Sequence, residues 1–210
     1  YSPEVLEPRT YEEAVTSEQA HEWVNAMSEE ISQFIQLNVF SCIPRDQVPR
    51  GKIPITAKWV FKIKRASDQS IERFKARVVA RGFTQQHEID YHETYAPVAT
   101  FATLRTVLTV AASRGWQVNH WDIKTAFLYA ELDEEIYVEP PKGFADSDEV
   151  WRLHKSLYGL KQAPFRWNKK LTELLLTFGL QQSKTDRSMF YGKGVILVVY
   201  VDDILIAAET

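Results

Sequence analysis

The sequence of 210 residues has little cysteine and methionine, no long apolar run and no overall excess of positive charge. Its single cysteine, Cys42, cannot form an internal disulfide, and neither Cys42 nor the five scattered histidines have the spacing of a zinc site. No run of about 18 consecutive apolar residues occurs, and the first residues lack the basic-then-apolar pattern of a secretory signal. These absences argue against a disulfide scaffold, a zinc protein and a membrane protein.

The composition that remains is that of a folded chain with an uneven charge. Apolar residues make up 45% and aromatic residues 12%, enough for a substantial core. The formal net charge of −3 argues against nucleic-acid binding, but it is an average over unlike segments. Residues 1–49 contain two Lys or Arg and nine Asp or Glu, whereas residues 50–81 contain ten and two. An acidic lead-in therefore precedes a strongly basic segment.

The basic segment has the pattern of a hairpin. Basic and apolar residues alternate at 58–64 and again at 74–81, and residues 68–70 suit a turn. This alternation predicts two strands with one packed face and one cationic face. A solvated surface hairpin and a phosphate-binding hairpin both remain open, although like charges side by side cost stability without an anionic partner.

Periodicity predicts helices and further strands. Thr10 and Glu13 have the spacing of a capping box before apolar residues that recur every three or four positions, which predicts a helical start. Two more helices are predicted, at 103–112 and 164–178, ending at Gly115 and Gly179. A loop is expected at 87–97. Strands are predicted at residues 116–123, 136–139, 150–153, 195–201 and 204–208.

Two adjacent aspartates, Asp202 and Asp203, separate the last two apolar runs. Side chains alternate along a strand, so the pair is expected at a hairpin tip. Ionised carboxylates beside apolar residues need a positive partner, and hard oxygen ligands favour magnesium or manganese over zinc. Such a pair also occurs in ordinary turns. Asp122, at the end of another predicted strand, adds a third carboxylate, and three carboxylates could hold two metal ions about 4 Å apart for nucleotidyl transfer.

Several motifs in one order resemble a known family, the copia-type polymerase of long-terminal-repeat retrotransposons. The resemblance covers nearly the whole chain. The motifs are Tyr200-Val201-Asp202-Asp203, the box beginning Asp122-Ile123-Lys124, residues 74–83, residues 95–98 and residues 156–164. It implies an α+β fold, the fingers and partial palm of a right-hand polymerase, with an antiparallel palm sheet and packed helices. The implied organisation is a lead-in at 1–49, fingers at 50–100 and a palm at 101–210, with a fingers insertion around 136–165.

The same resemblance implies an activity and a set of site residues. The activity is RNA-directed DNA synthesis, in which deoxynucleoside triphosphates (dNTPs) are joined to a primer on an RNA or DNA template with two Mg²⁺ ions, or Mn²⁺. Asp122, Asp202 and Asp203 would be the catalytic, metal-binding carboxylates. Tyr200 would lie at the primer end. The incoming nucleotide would meet Lys75, Arg81, Phe127, Gln162 and Lys64.

Two of these assignments have plain alternatives. Phe127 would reject a 2′-hydroxyl from beneath the sugar, but it could equally be a core aromatic. For Lys64, and for Lys161 in the 156–164 motif, a solvated surface position is favoured. The chain departs from the family pattern at residues 129–132 and 165–166, which affects the turn and template contact and leaves the metal ligands intact.

The resemblance also implies a fragment of a Pol polyprotein. The chain stops before the thumb, RNase H and integrase that would be its partners, so by itself it is expected to be inactive. The implied location is intracellular, in cytoplasmic virus-like particles. A catalytically inactive remnant that only binds nucleic acid remains an alternative. An unrelated magnesium-dependent phosphohydrolase is a third, and it would need an aspartyl nucleophile in an Asp-x-Asp box.

Overall fold

Four α-helices and ten β-strands make up the part of the chain described by the structure, residues 5–144 and 148–209 of a computed structural model. The helices are α1 (Tyr11–Thr16), α2 (Ala20–Gln36), α3 (Phe101–Arg114) and α4 (Ala163–Thr177). The strands are β1 (Phe40–Pro44), β2 (Ile55–Arg65), β3 (Ile71–Ala80), β4 (Gln117–Asp122), β5 (Glu131–Glu139), β6 (Glu149–Lys155), β7 (Gln181–Gln182), β8 (Met189–Gly192), β9 (Val195–Tyr200) and β10 (Asp203–Ala208). No helix in these residues is long and apolar enough to cross a membrane.

The chain folds as two units, and each draws on two separate stretches of sequence. The first unit contains residues 1–91 and 132–161, and the second contains residues 92–131 and 162–210. The first unit has a five-stranded mixed sheet in the order β1-β6-β5-β2-β3, in which β2 runs parallel to β5. The second has a five-stranded antiparallel sheet in the order β4-β10-β9-β8-β7. The expected α+β class is therefore present in both.

The basic hairpin of the first unit is confirmed. Strands β2 and β3 pair antiparallel, and the Asp68 carboxylate accepts the Ser70 N–H in the turn between them. One face is buried beneath α2, whose Trp23 meets Phe61 and Phe74 edge to face. The other face carries the basic residues. Lys62 lies directly opposite Lys75, and Lys64 opposite Arg73, so like charges face each other across the strands.

A loop after β6 closes against the end of β3. The Ala80 N–H donates to the Tyr158 carbonyl, and a Cβ on Gly82 would lie 2.1 Å from the Gly159 carbonyl oxygen, so no larger residue fits at Gly82 without a shift of the backbone. Lys161, in the same loop, also forms hydrogen bonds with residues that follow β3. Its N–H donates to Gln85, and its ammonium reaches the Tyr91 hydroxyl at 3.2 Å. The interpretation of Lys161 as a solvated surface residue is therefore wrong, because it is a partly buried residue with protein partners.

The second unit has a helix on each face of its sheet. Val107 and Ala111 of α3 pack against Val198 and Ala207. On the opposite face, Trp167, Leu171 and Leu175 of α4 pack against a larger set of strand residues, Phe190, Leu197, Val199 and Ile204. Side chains alternate along β9, so Val198 packs against α3 on one face of the sheet and Val199 packs against α4 on the other.

The predicted helices are present with small differences at their ends. The acidic lead-in contains two helices, and the Glu13 N–H donates to Thr10 as the capping box requires. Helix α3 has Thr100 as its N-cap and ends at Gly115, whose φ of 66° is the left-handed value that glycine adopts easily. Strands β1, β7 and β8 were not predicted. Strand β4 was predicted, and all six of its residues are exposed because it forms the edge of its sheet.

Candidate active site

The turn between β9 and β10 carries the aspartate pair at a hairpin tip, as the sequence predicts. Tyr200 pairs with Asp203, so Val201 and Asp202 form a two-residue turn. Val201 has a φ of 55°, which a β-branched residue rarely adopts. Thr125, close to Asp122 in sequence, has a φ of 56°. These two are the β-branched residues with positive φ in the described part of the chain, and both are neighbours of the predicted catalytic aspartates.

Two hydrogen bonds hold this turn. The indole Nε1 of Trp167 donates to the Val201 carbonyl oxygen at 2.7 Å. The Ile123 N–H donates to the Asp202 carbonyl oxygen at 2.8 Å. Helix α4 and the segment that follows β4 therefore each bind one peptide of the turn.

The strand register brings three of the predicted site residues into one row. Asp122 lies opposite Asp203 across the β4–β10 pair, and Asp203 lies opposite Tyr200 across the β10–β9 pair. Directly opposed residues of antiparallel strands have Cβ atoms about 4.5–5.5 Å apart and project from the same face. Tyr200 is 52% exposed, so the row opens to solvent. Asp202 lies in the turn beside it.

His120 also contacts this row, which the sequence did not predict. The Nε2 atom of His120 lies 2.8 Å from the Oδ1 atom of Asp203, and both side chains are about half exposed. His120 is two residues before Asp122, so its side chain projects from the same face of β4. One carboxylate oxygen of the row thus has a protein partner.

The donor types in the row suit a hard divalent cation. Carboxylate oxygens are the ligands that Mg²⁺ and Mn²⁺ prefer, and Asp122 and Asp203 project from adjacent strands. The side chains do not form a closed cage: within residues 5–144 and 148–209, no group of three or more His, Cys, Asp or Glu is placed to hold a metal ion. The register therefore brings two of the three predicted ligands together, and the turn carries the third.

A cavity of about 370 Å³ opens beside the row. Its floor is apolar, from Val198 and Leu205, and the first turn of α3 forms one wall. Tyr200, His120 and Asp203 lie at its polar side. The space is large enough for a small organic group next to a carboxylate.

The predicted nucleotide-binding residues are divided between the two units. Lys64, Lys75 and Arg81 belong to the first unit, where Lys64 and Arg81 are exposed. Lys75 is partly buried, and desolvation, assisted by the charge of Arg77, lowers its pKa. The exposed position of Lys64 agrees with the solvated-surface interpretation.

Phe127 and Gln162 belong to the second unit. Phe127 lies in a 3₁₀-helix, Ala126–Tyr129, and packs against the core beneath α4 while remaining partly exposed. Gln162 immediately precedes α4 and is completely buried. A direct contact between its side chain and a nucleotide would require this loop to move.

The Asp-x-Asp spacing expected of a phosphohydrolase nucleophile occurs at residues 146–148. The first two of these lie outside the described residues. Asp148 is exposed, and its carbonyl accepts the Arg45 N–H beside the start of β6. Nothing about Asp148 indicates a buried nucleophile.

Comparison with protein families gives the class of the chain. Residues 39–210 match a family described as "Reverse transcriptase (RNA-dependent DNA polymerase)". The match covers most of the chain and includes every predicted site residue. The chain belongs to this reverse transcriptase family.

Relatives among known proteins point to plant retrotransposons, which confirms the copia-type resemblance. The chain is 41% and 40% identical to the "Retrovirus-related Pol polyprotein" of transposons RE1 and RE2 of Arabidopsis thaliana. It is 36% identical to the polyprotein of the same description from transposon TNT 1-94 of Nicotiana tabacum. Each comparison covers 97% of this chain but 14–16% of the relative.

Two residues of the site, His120 and Trp167, were missed by sequence reasoning, and the backbone contact between Ile123 and the turn was also not predicted. Their contacts are long-range, and no local pattern reveals which carbonyl or carboxylate they meet. Trp167 gave one usable signal, because a tryptophan on the buried face of a helix needs an acceptor for its N–H.

Proposed function

We propose that this chain is the fingers and partial palm of an RNA-directed DNA polymerase. The first unit would be the fingers, and the second the palm that carries the catalytic row. The observation that supports this best is the register that sets Asp122 opposite Asp203 and Asp203 opposite Tyr200, at the tip of a hairpin held by two further hydrogen bonds.

The proposed reaction joins a deoxynucleotide to a primer. The primer 3′-hydroxyl loses its proton to solvent and its oxygen attacks the α-phosphorus of the triphosphate. The new oxygen–phosphorus bond forms as the bond from the α-phosphorus to the bridging oxygen breaks, which releases pyrophosphate. Asp122, Asp202 and Asp203 would hold two Mg²⁺ ions, or Mn²⁺, which would activate the attacking oxygen and stabilise the departing one. The carboxylates must therefore project together from one face, which the register of β4 and β10 provides for two of them.

Other residues would bind the substrates. Tyr200 is exposed beside Asp203 and would contact the primer end. Lys75 and Arg81, with Lys64, would meet the triphosphate, because cations stabilise the charge that develops on the leaving pyrophosphate. Phe127 would lie under the sugar, and Gln162 would support the nucleotide from the loop before α4. The cavity beside Tyr200 leaves room for substrate next to the row.

The basic hairpin supports a nucleic-acid partner independently of catalysis. Lys62 opposes Lys75 and Lys64 opposes Arg73. Glu7 and Glu29 neutralise one cation of each pair, Lys62 and Arg73, so four cations meet two carboxylates and a positive excess is left that a further anion would relieve. A phosphate backbone provides that anion. This observation also fits the second candidate, an inactive remnant that binds nucleic acid without synthesis.

Replacing Asp122 with asparagine separates the two candidates. In the full natural chain that carries these residues, Asp122→Asn should abolish dNTP incorporation in a primer-extension assay with Mg²⁺ or Mn²⁺, because one metal ligand is lost. The fold and template binding should persist, since Asp122 is exposed at the end of an edge strand.

Asp46→Asn is the matched control, because Asp46 is an exposed aspartate in the other unit. It should leave incorporation unchanged. A wild-type chain that folds and binds template but incorporates nothing would favour the inactive remnant. Retained activity in Asp122→Asn would refute the assignment of the row.

A further inference from the structure

The turn that carries the aspartates is held in a conformation that its own sequence opposes. Val201 is β-branched and has a φ of 55°, in the left-handed region that branched side chains avoid. Glycine or asparagine would adopt it at lower cost. A residue remains in such a conformation only where its surroundings over-determine it. The turn therefore depends on contacts outside itself.

Trp167 supplies the best placed of these contacts. Its ring is 5% exposed and lies in the core of the second unit with Leu171, Phe190 and Val199, so it has little freedom to move. From this position its Nε1–H donates to the Val201 carbonyl at 2.7 Å. Rotation of the peptide between Val201 and Asp202 would leave a buried indole N–H without an acceptor, which is costly.

A second contact fixes the next peptide of the turn. The Asp202 carbonyl accepts the N–H of Ile123, the residue that follows Asp122. Two consecutive carbonyls are thus held, one by α4 and one by the chain beyond β4. Together they set the direction in which Asp202 and Asp203 project relative to Asp122.

We propose that Trp167 is a positioning residue for the three aspartates Asp122, Asp202 and Asp203. Its N–H holds the Val201 peptide in the strained orientation, and the peptide in turn aims the carboxylates of Asp202 and Asp203. Trp167 acts through the backbone and does not touch substrate. The proposal rests on the proposed function, because the aim of the carboxylates matters for activity only if they bind the catalytic cations.

Trp167→Phe tests this by removing the N–H while keeping an aromatic ring in the core. In the full natural chain, Mn²⁺ affinity and the rate constant of incorporation should each fall by about tenfold, as for other residues that orient metal ligands. The KM for primer–template should stay within about twofold, because Trp167 makes no substrate contact. Hydrogen exchange at the Ile123 amide should accelerate, a readout that does not depend on activity.

Two further variants separate positioning from packing. Phe190→Leu removes a ring from the same buried cluster without touching the turn. It should lower stability but leave Mn²⁺ affinity and Ile123 exchange near those of the wild type. Adding Val201→Gly to Trp167→Phe should restore much of the lost Mn²⁺ affinity, because glycine adopts the positive φ without strain.

The outcomes distinguish the two proposals. If the wild type is active and Trp167→Phe matches it in Mn²⁺ affinity and rate, the positioning role is refuted and the proposed function stands. Equal losses in Phe190→Leu also refute positioning, because packing alone would then explain them. If the wild type folds but neither binds Mn²⁺ nor extends a primer, the proposed function fails and the positioning role fails with it.

Discussion

Glu30 is a carboxylate almost completely removed from water. It lies on the buried face of α2, where it is 5% exposed and accepts the Val78 N–H of the edge strand β3 at 3.3 Å. Burial raises the pKa of Glu30 to about 7, against the lowering effects of the Val78 hydrogen bond and of Arg77 and Lys75. Ionisation of Glu30 near neutral pH therefore lowers the stability of the folded state.

The pH dependence follows from the direction of that shift. Because the folded-state pKa lies above the unfolded value, the native state increasingly loses stability relative to the unfolded chain as pH rises from about 4.5 to about 7. Glu30→Gln removes the ionisation and can still accept the Val78 N–H. It should change unfolding free energy little at pH 4.5 and raise it by about 1–3 kcal/mol at pH 8, measured by urea denaturation.

Glu29→Gln is the control for this measurement. Glu29 is exposed and forms a surface ion pair with Arg73 at 2.8 Å, so its replacement should change stability by less than about 1 kcal/mol at either pH. Equal responses of the two variants to pH would contradict the role of burial at Glu30.

Under the proposed function, His120 would compete with a cation for Asp203. Its Nε2 lies 2.8 Å from the carboxylate, in a half-exposed pair that is worth at most about 1 kcal/mol. His120→Ala should therefore raise Mn²⁺ affinity by up to about fivefold, measured by titration calorimetry. His154→Ala, in the other unit, is the control and should have no effect. A loss of affinity in His120→Ala would instead make His120 a ligand.

At the scale of elements, the packing of the loop at residues 156–162 against β3 depends on two glycines. Gly159 has a φ of 89°, and a Cβ there would lie 2.1 Å from the Ala80 carbonyl oxygen. Gly159→Ala should therefore lower the unfolding free energy by about 3–5 kcal/mol, because it adds a backbone clash to an unfavourable φ.

Gly51 provides a matched control in the same unit. Its φ of 92° is similar, but no atom lies within 4 Å of the added Cβ. Gly51→Ala should lower the unfolding free energy by about 1–2 kcal/mol, because only the unfavourable φ opposes it. A cost for Gly159→Ala no larger than that for Gly51→Ala in thermal or urea unfolding would show that the close contact is absent in solution.

The sequence predicted those elements whose signal is local. Helix α3 has a cap at each end, and β9 and β10 are apolar runs separated by charge, so each was recognisable without its neighbours. Strand β7 has two residues and β8 four, too short for a pattern. That β4 lies at a sheet edge depends on which strand pairs with it, and no residue of β4 encodes this.

In the candidate site too, local signals were predictable from the sequence and tertiary contacts were not. The three aspartates were found because charge beside apolar strands is conspicuous. The contacts of His120 with Asp203 and of Trp167 with Val201 join residues far apart in sequence, so they required the tertiary structure. Lys161 was misinterpreted for this reason too, since its partners Gln85 and Tyr91 lie in a distant loop.

At the scale of the whole molecule, the acidic lead-in is part of the first unit although the family match begins at residue 39. Trp23 and Phe34 are both fully buried, and Trp23 covers Phe61 and Phe74 of the hairpin. Deleting residues 1–38 should therefore expose this apolar surface and destabilise the hairpin. We expect loss of cooperative unfolding or aggregation, checked by calorimetry and light scattering.

Charge can be separated from packing in this test. The combined change of Glu7, Glu12 and Glu29 to glutamine removes three surface ion pairs to Lys62, Lys142 and Arg73 but keeps the helices. It should change stability by no more than about 1–2 kcal/mol, because exposed pairs contribute little. Destabilisation as large as that of the deletion would show that the lead-in acts through charge.

The interleaving of the two units has a consequence during protein synthesis. The first unit contains no residue beyond Lys161 and can close once that residue has left the ribosome, whereas the second cannot. Strand β4, with Trp121 62% exposed, must wait for β10, the last strand in the described chain. Until then neither edge of β4 is paired, and both edges are open to other chains. The strand that bears Asp122 is therefore where a nascent polypeptide is most exposed to mispairing, and slower translation between residues 122 and 203 should lower the yield of folded protein.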